Sequence, residues 1–390
     1  MRLDADSGQA LLDGIADKAA LRAANTQRFI EPCAGCILGT AVGDALGLPY
    51  EGIGPRRAAR LFPDPSRYHL LPFGHGLCSD DTEHTIMVAE ALIATAGYSL
   101  AYRNADEFRR RMAWHLRFWI FGLPAGIGMA TLKGILKLWL FVPRRWQGVD
   151  SAGNGPAMRS AVLGLFWGEE PDLLRAHVRD CTRLTHTDPK AQHAAQAVAQ
   201  AAHVSRCNAG RGDPAAFAVQ MHDLLGPEGG EMAALIERAC VSVLAGQATV
   251  EFARALGLEK GVTGYALHTV PVALHAWLAH PGDYRGAVLA AIACGGDTDT
   301  VAAITGGIMG AGVGRAGIPP EWLDRLAEYP RNVAWMDRLA SSLAQVRANY
   351  LGGNLGPVLT IGGYLALGLR NLGFLLVVLL HGLRRLLPPY

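Results

Sequence analysis

Apolar residues recur at three- and four-residue steps along most of the chain, and alternating β-branched runs are few, so the pattern predicts an all-α protein. An Ala- and Leu-rich stretch from Asp6 to Ala24 reads as an N-terminal leader or helix. Residues 35–48 set Gly35, Gly39, Gly43 and Gly47 four apart, one helix face stripped of side chains. Prolines and glycines across 49–79 predict a surface loop. Helices are then expected from Asp80 to about Ala96, from Ala105 to Phe121 with Arg109, Arg110 and Arg117 facing out, and from Pro189 to about Val204 behind an Asp188 N-cap. Further helices are expected near 231–246, 266–279 and 284–293 and after Asp299, with 205–230 a polar loop. The implied organisation is a leader or helix over 1–30, a core over 31–345 and an apolar, Gly-rich extension over 346–390.

Composition narrows this picture. Half of the 390 residues are hydrophobic and 18% are charged, enough apolar material for a large core and too little charge for disorder. A net charge of +2 gives no electrostatic case for nucleic acid as partner. Seven cysteines, an odd number, do not make a disulfide framework and fit a reducing, cytoplasmic compartment. Asp4, Asp6, Asp13 and Asp17 argue against a secretory leader. Cys33 and Cys36 have CxxC spacing without a second pair at zinc-finger distance, so they read as structural. His268 and His275 read as a packed face, and the tryptophans at 114, 119 and 139 as core.

Two acidic clusters, Ser79-Asp80-Asp81-Thr82 and Gly295-Gly296-Asp297-Thr298-Asp299-Thr300, each precede a helical pattern. Either alone reads as helix capping. Together they hold more carboxylates than two caps can use, and each adds hydroxyl oxygens. If the two helix starts meet, the carboxylates repel unless a cation sits among them, and an all-oxygen set suits Mg²⁺, Mn²⁺ or Ca²⁺ rather than zinc. Glu51 is a fifth candidate carboxylate.

The landmarks GCILGTAVGDALGLPYEG at 35–52, SDDTEHT at 79–85, GNGPAMR at 153–159, THTDP at 185–189, KGVTGYALHT at 260–269 and GGDTDTVAAITGGIMGA at 295–311 follow one another along the chain. In this order they make the sequence resemble the ADP-ribosylglycohydrolase family over about residues 33–315. The resemblance implies a single large orthogonal helical domain with a binuclear metal cleft that binds two divalent cations, Mg²⁺ or Mn²⁺. It implies Ser79, Asp80, Asp81, Asp297, Asp299 and Thr300 as ligands; the family often has threonine in the place of Ser79, and serine keeps the hydroxyl. It implies Glu51, Asp80, Asp81 and Asp297 as the catalytic carboxylates. Gly153, Asn154 and Gly155 match a loop that holds the distal ribose and diphosphate, and His186 and Tyr265 match positions that contact phosphates and line the cleft.

The implied activity is hydrolysis of the bond between ADP-ribose and a modified protein side chain, with arginine the family's common case, so that the partner is an ADP-ribosylated protein. Residues 49–78 and 122–150 are expected to set the acceptor. Hydrolysis of another ADP-ribosyl compound, an inactive crystallin-like ADP-ribose-binding member, and an immunity role against an ADP-ribosylating toxin stay open. For the tail, Leu372–Leu383 is apolar on every side except His381, and a helix packed back on the domain or on a second copy, away from the metal cleft, is favoured over membrane contact.

Overall fold

The computed structural model describes residues 5–96, 105–349, 361–385 and 388. Among them are seventeen α-helices and no strand beyond isolated bridges, as expected for an all-α chain. In chain order they are α1 (Ala5–Gly47), α2 (Pro55–Leu61), α3 (Asp80–Ala96), α4 (Ala105–Trp119), α5 (Met129–Trp139) and α6 (Ala161–Trp167). There follow α7 (Pro171–Thr182), α8 (Pro189–Cys207), α9 (Pro214–Leu225), α10 (Gly230–Leu244), α11 (Thr249–Ala255) and α12 (Ala266–Ala279). The last are α13 (Tyr284–Ile292), α14 (Thr298–Val313), α15 (Pro320–Asp324), α16 (Val333–Asn349) and α17 (Ile361–Arg384).

Four expectations need correction, the first being that the surface loop expected over 49–79 holds the short helix α2. The leader and the glycine-rich helix are one helix, α1, which runs through Pro32. The polar loop at 205–230 contains α9, opened by Asp213, whose carboxylate accepts from the Ala215 and Ala216 N–H groups. Arg117 does not face out: it is buried, and its Nε and Nη2 donate to the Leu138 carbonyl at 3.0 and 2.7 Å.

The glycine seam of α1 explains the centre of the fold. A Cβ on Gly43 would sit 2.6 Å from the Ala302 carbonyl carbon, and one on Gly47 would sit 2.7 Å from the Asp299 Cα. Gly306 and Gly310 on α14 face Gly39 and Gly35 in return. The two backbones touch from Gly35 to Gly47, about three turns, and α16 covers another side of α1. The seam fixes where α14 begins, and the α14 N-terminus carries Asp297, Asp299 and Thr300.

A glycine-to-alanine change gains about 1 kcal/mol of helix propensity where nothing is in the way. At Gly43 overpacking costs about 1–3 kcal/mol or more and reverses the sign. Gly43→Ala is therefore expected to lower Tm by several degrees. Gly368→Ala on α17, where a Cβ would meet nothing within 4 Å, should leave it unchanged or raise it. Thermal denaturation followed by circular dichroism checks both, and an unchanged Tm for Gly43→Ala would remove the close-contact argument.

Candidate metal centre and active site

Three segments cross where α14 begins. Gly296 is bridged to Ile53 on one side and to Val262 on the other. Gly52 N–H donates to the Gly296 carbonyl at 2.7 Å, and Asp297 N–H donates to the Val262 carbonyl at 2.9 Å. Gly296 has φ 83°, and a Cβ there would run into Val262, so only glycine lets the three backbones cross. The crossing carries Glu51 to Asp297. Glu51, Asp297 and Asp299 each offer an oxygen within 4.8 Å of the other two.

The second cluster joins the first through hydroxyl groups. Thr300 Oγ1 donates to Asp81 Oδ2 at 3.3 Å, and Ser79 Oγ donates to the same oxygen at 3.2 Å. About two hundred residues separate the clusters in sequence, yet Asp81 lies close enough to feel the Asp297 charge and Asp80 close enough to feel Glu51. Capping does not use these carboxylates. Asp297 is the N-cap residue of α14 but makes no side-chain cap bond. At α3 the Ser79 and Thr82 N–H groups donate to Asp44 of α1, at 2.9 and 3.2 Å. Asp44 is fully buried and takes the Thr82 hydroxyl as well. It thus spares Asp80 and Asp81 from capping.

The electrostatics follow from crowding. Burial pushes the carboxyls of Asp80, Asp81 and Asp299 well above the usual range, and neighbouring carboxylates add to the push. Asp297 is raised by burial, and Glu51 by desolvation around its carboxylate and by the Asp297 charge. Asp44 is raised to about 7 by burial, against the pull of its Ser79 and Thr82 donors. Asp81 Oδ1 and Asp299 Oδ1 are buried with no hydrogen-bond partner. Orphaned anionic oxygens in a group of converging carboxylates are the donor set that a hard divalent cation satisfies.

The Gly153-Asn154-Gly155 turn lies over this cluster. Asn154 Nδ2 donates to Asp297 Oδ2 and, at 3.0 Å, to Thr269 Oγ1, so its side chain orients Asp297. Its N–H is spent on the Gly264 carbonyl at 3.0 Å and is not free for a phosphate. His186 is buried, and its ring fills the space that a Cβ on Gly153 or Gly155 would need. Burial, and then Arg159, lower His186 to about 3, which keeps it a neutral support beneath the turn. Arg159, fully buried, lies 2.9 Å from His84 Nδ1 and donates to Thr185 Oγ1 at 2.8 Å. Tyr265 is half-buried; it is bridged through its backbone to Gly153, and its hydroxyl accepts from Lys190 at 3.1 Å.

The sequence profile described as ADP-ribosylglycohydrolase matches residues 25–351, most of the chain. The chain belongs to the ADP-ribosylglycohydrolase family. That is a family of hydrolytic enzymes. Among relatives, "ADP-ribosylarginine hydrolase Tri1" of Pseudomonas putida is 27% identical over 77% of this chain and 76% of its own. "ADP-ribosylhydrolase ARH3" of Homo sapiens is 26% identical over 80% of this chain and 92% of its own. A solved structure titled "ADP-ribosylglycohydrolase-related protein complex" superposes with a TM-score of 0.53 at 24% identity, over 82% of this chain and 99% of that one, a likeness of fold.

This family member carries site supports that sequence reasoning missed. The tail expectation also needs correction: α17 does fold back on the domain, but it does not stay clear of the cluster. Arg370 donates to Glu328 at 2.7 Å through Nε and to the Cys78 carbonyl at 2.7 Å through Nη2. Glu328 in turn accepts the Cys78 N–H at 3.2 Å. The buried pair grips both backbone groups of the residue before Ser79. At the other end of α17, His381 Nε2 lies 2.9 Å from the Pro49 carbonyl, and Arg385 Nη2 donates to the same oxygen at 3.4 Å, two residues before Glu51.

Removing one partner of a buried ion pair costs about 3–5 kcal/mol, because the other charge is stranded. Arg370→Ala is expected to lower Tm by about 10 °C. Pairing it with Glu328→Gln should restore part of that loss. Thermal denaturation of the single and double variants checks it, and equal losses in both would show that the pair is not coupled.

Proposed function

We propose that this chain hydrolyses the glycosidic bond between ADP-ribose and an arginine side chain of a protein, with divalent cations held by Asp81, Asp297, Asp299 and Thr300 and by Ser79 and Asp80 at the start of α3. The observation that carries the reading is the convergence of Glu51, Asp297 and Asp299 with Asp81, two of whose members keep orphaned buried oxygens. The names of the relatives support the choice of linkage, Tri1 in particular.

The bond breaks as positive charge builds on the anomeric carbon and ring oxygen. A divalent cation supplies Lewis acidity, which holds ribose hydroxyls and makes water a better nucleophile. The chain's own groups do the rest. Glu51, an exposed residue at the edge of the cluster whose carboxyl is raised by desolvation and by the Asp297 charge, suits proton transfer: it takes the proton of the attacking water or gives one to the leaving nitrogen. Asn154 holds Asp297 in place. The glycines at 153 and 155 let the turn sit close over the His186 ring, where a Cβ at either position would crowd it.

A panel of arginine-, serine- and Asp/Glu-linked ADP-ribosyl substrates with Mg²⁺, Mn²⁺ or chelator tests this. Release from the arginine linkage alone, abolished by chelator, is expected. Release that ignores chelator would end the metal reading. Release from a different linkage would move the acceptor.

A further inference from the structure

α17 is built inside out. The residues that face the domain include its polar ones: Arg370 on Glu328, Asn371 donating to the Gly122 carbonyl at 2.7 Å, and His381 at Pro49, with Phe374 between them. The opposite face is leucine. Leu365, Leu369, Leu372, Leu376, Leu379 and Leu383 follow steps of four and three, and each is 54–72% exposed. An ordinary surface helix has the reverse arrangement. A row of this kind belongs against an apolar medium.

Two kinds of cover fit a leucine stripe, a helix of a second copy and a bilayer, and the surroundings separate them. The apolar surface does not stop at α17. Asn371 ties it to the turn at Gly122, where Phe121 and Leu123 are 67% and 57% exposed. Phe121 packs edge-on against Trp139, and so does Phe118, which stacks on Trp114, an exposed residue rather than the core one its sequence context suggests. Arg117 lies over Trp114 and over Phe141, itself 68% exposed. A partner helix about 10–12 Å across covers the stripe and leaves this remainder in water. A lipid surface covers both.

Backbone and charge agree. Leu123 and Phe141 hold φ of 53° and 50°, a conformation that non-glycine side chains rarely adopt, and both use it at a turn with an apolar side chain in solvent. α17 has no acidic residue; Arg384 and Arg385 close it, with Arg56 and Arg60 exposed on nearby α2, to which Arg57 links the Arg385 carbonyl. Arginine and tryptophan beside apolar surface suit the headgroup layer of an anionic membrane. Leu365–Arg384 is long and apolar enough to cross a bilayer. Its inner face, however, is tied to the domain at 370, 371 and 381, which holds it along the protein surface.

We infer that α17 and the adjoining Phe118–Leu123 and Phe141 turns form a docking face for an anionic lipid bilayer, on which the protein lies with α17 in the plane of the interface. The inference is independent of the proposed substrate.

The test uses the full-length protein with vesicles of phosphatidylcholine alone and with about one third phosphatidylglycerol. Co-sedimentation is expected with the anionic vesicles and less with the neutral ones. Leu376→Glu together with Leu379→Glu, both on the exposed face, should weaken it at least about tenfold. Melting temperature and hydrolysis should stay as in the wild type, which separates lost docking from lost folding. Light scattering without lipid completes the test. A wild-type dimer that the double variant converts to monomer, with no vesicle binding, would overturn the inference in favour of a contact between copies. A wild-type protein that stays in the supernatant with every vesicle would overturn it outright.

Discussion

Asp81→Asn and Asp297→Asn are each expected to lower kcat for ADP-ribosyl-arginine by about 10²–10⁴-fold while the helical circular-dichroism spectrum stays unchanged. A cation at such a site is worth several kcal/mol of charge stabilisation in the transition state, and each 1.36 kcal/mol is tenfold in rate. Asparagine keeps the volume and removes the charge. The fold should tolerate the change for reasons visible in the structure. The Ser79 and Thr82 N–H groups at the start of α3 are held by Asp44, and Asp297 makes no cap bond to α14. Rates are to be compared at saturating Mg²⁺ and Mn²⁺. Wild-type hydrolysis by both variants would show that the cluster is a structural acid patch and that the chemistry lies elsewhere.

The parts of the site legible in the sequence are those with a local signature. Each acidic cluster announces itself because carboxylates and hydroxyls crowd a helix start, and the four-residue glycine spacing announces a helix that another backbone must touch. Asp188 before Pro189 marked α8. The same Asp-Pro signal at Asp213-Pro214, with Phe217, Met221 and Leu225 four apart and buried behind it, marks α9 inside a stretch whose polar residues read as a loop.

What the sequence hid is relational. Asp44 reads as one acid on a buried helix; its work is to cap a helix that starts 36 residues later, and no spacing rule connects the two. Arg370 and Glu328 look like a charge interrupting an apolar run and an ordinary surface acid, and only the fold puts them on Cys78. The tail shows the limit most plainly. Its composition says apolar helix, but which face meets the domain depends on where Glu328, Gly122 and Pro49 stand. The result reverses the usual rule, with polar residues inward and leucine outward.

Removing divalent cations should destabilise the fold, and the loss should grow with pH. Asp80, Asp81 and Asp299 have folded-state pKa values raised above the usual carboxylate range by burial and by neighbouring carboxylates, Asp297 is raised by burial, and Glu51 is raised by desolvation and the Asp297 charge. A raised group favours the folded state fully only below its unfolded pKa of about 4, and that advantage is lost as pH rises through the folded value. The chelator-treated protein should therefore weaken from about pH 4 upward. A bound cation reverses this, because it favours the ionised ligands and releases their protons. Buried neutral histidines complicate either curve alone. His177, His186 and His275 are lowered to about 4, 3 and 4, chiefly by burial, so they weaken the fold as pH falls below about 6.5. They do so with or without cation, and subtracting one curve from the other removes them. Each proton that the cation displaces adds about 1.4 kcal/mol per pH unit to the difference. Between pH 5 and pH 7 the gap in Tm between Mg²⁺- or Mn²⁺-loaded and chelated protein should widen by about 5–10 °C. Thermal scans at both pH values, with and without chelator, measure it. A gap that stays flat or narrows as pH rises would mean that cations do not bind at the buried carboxylates.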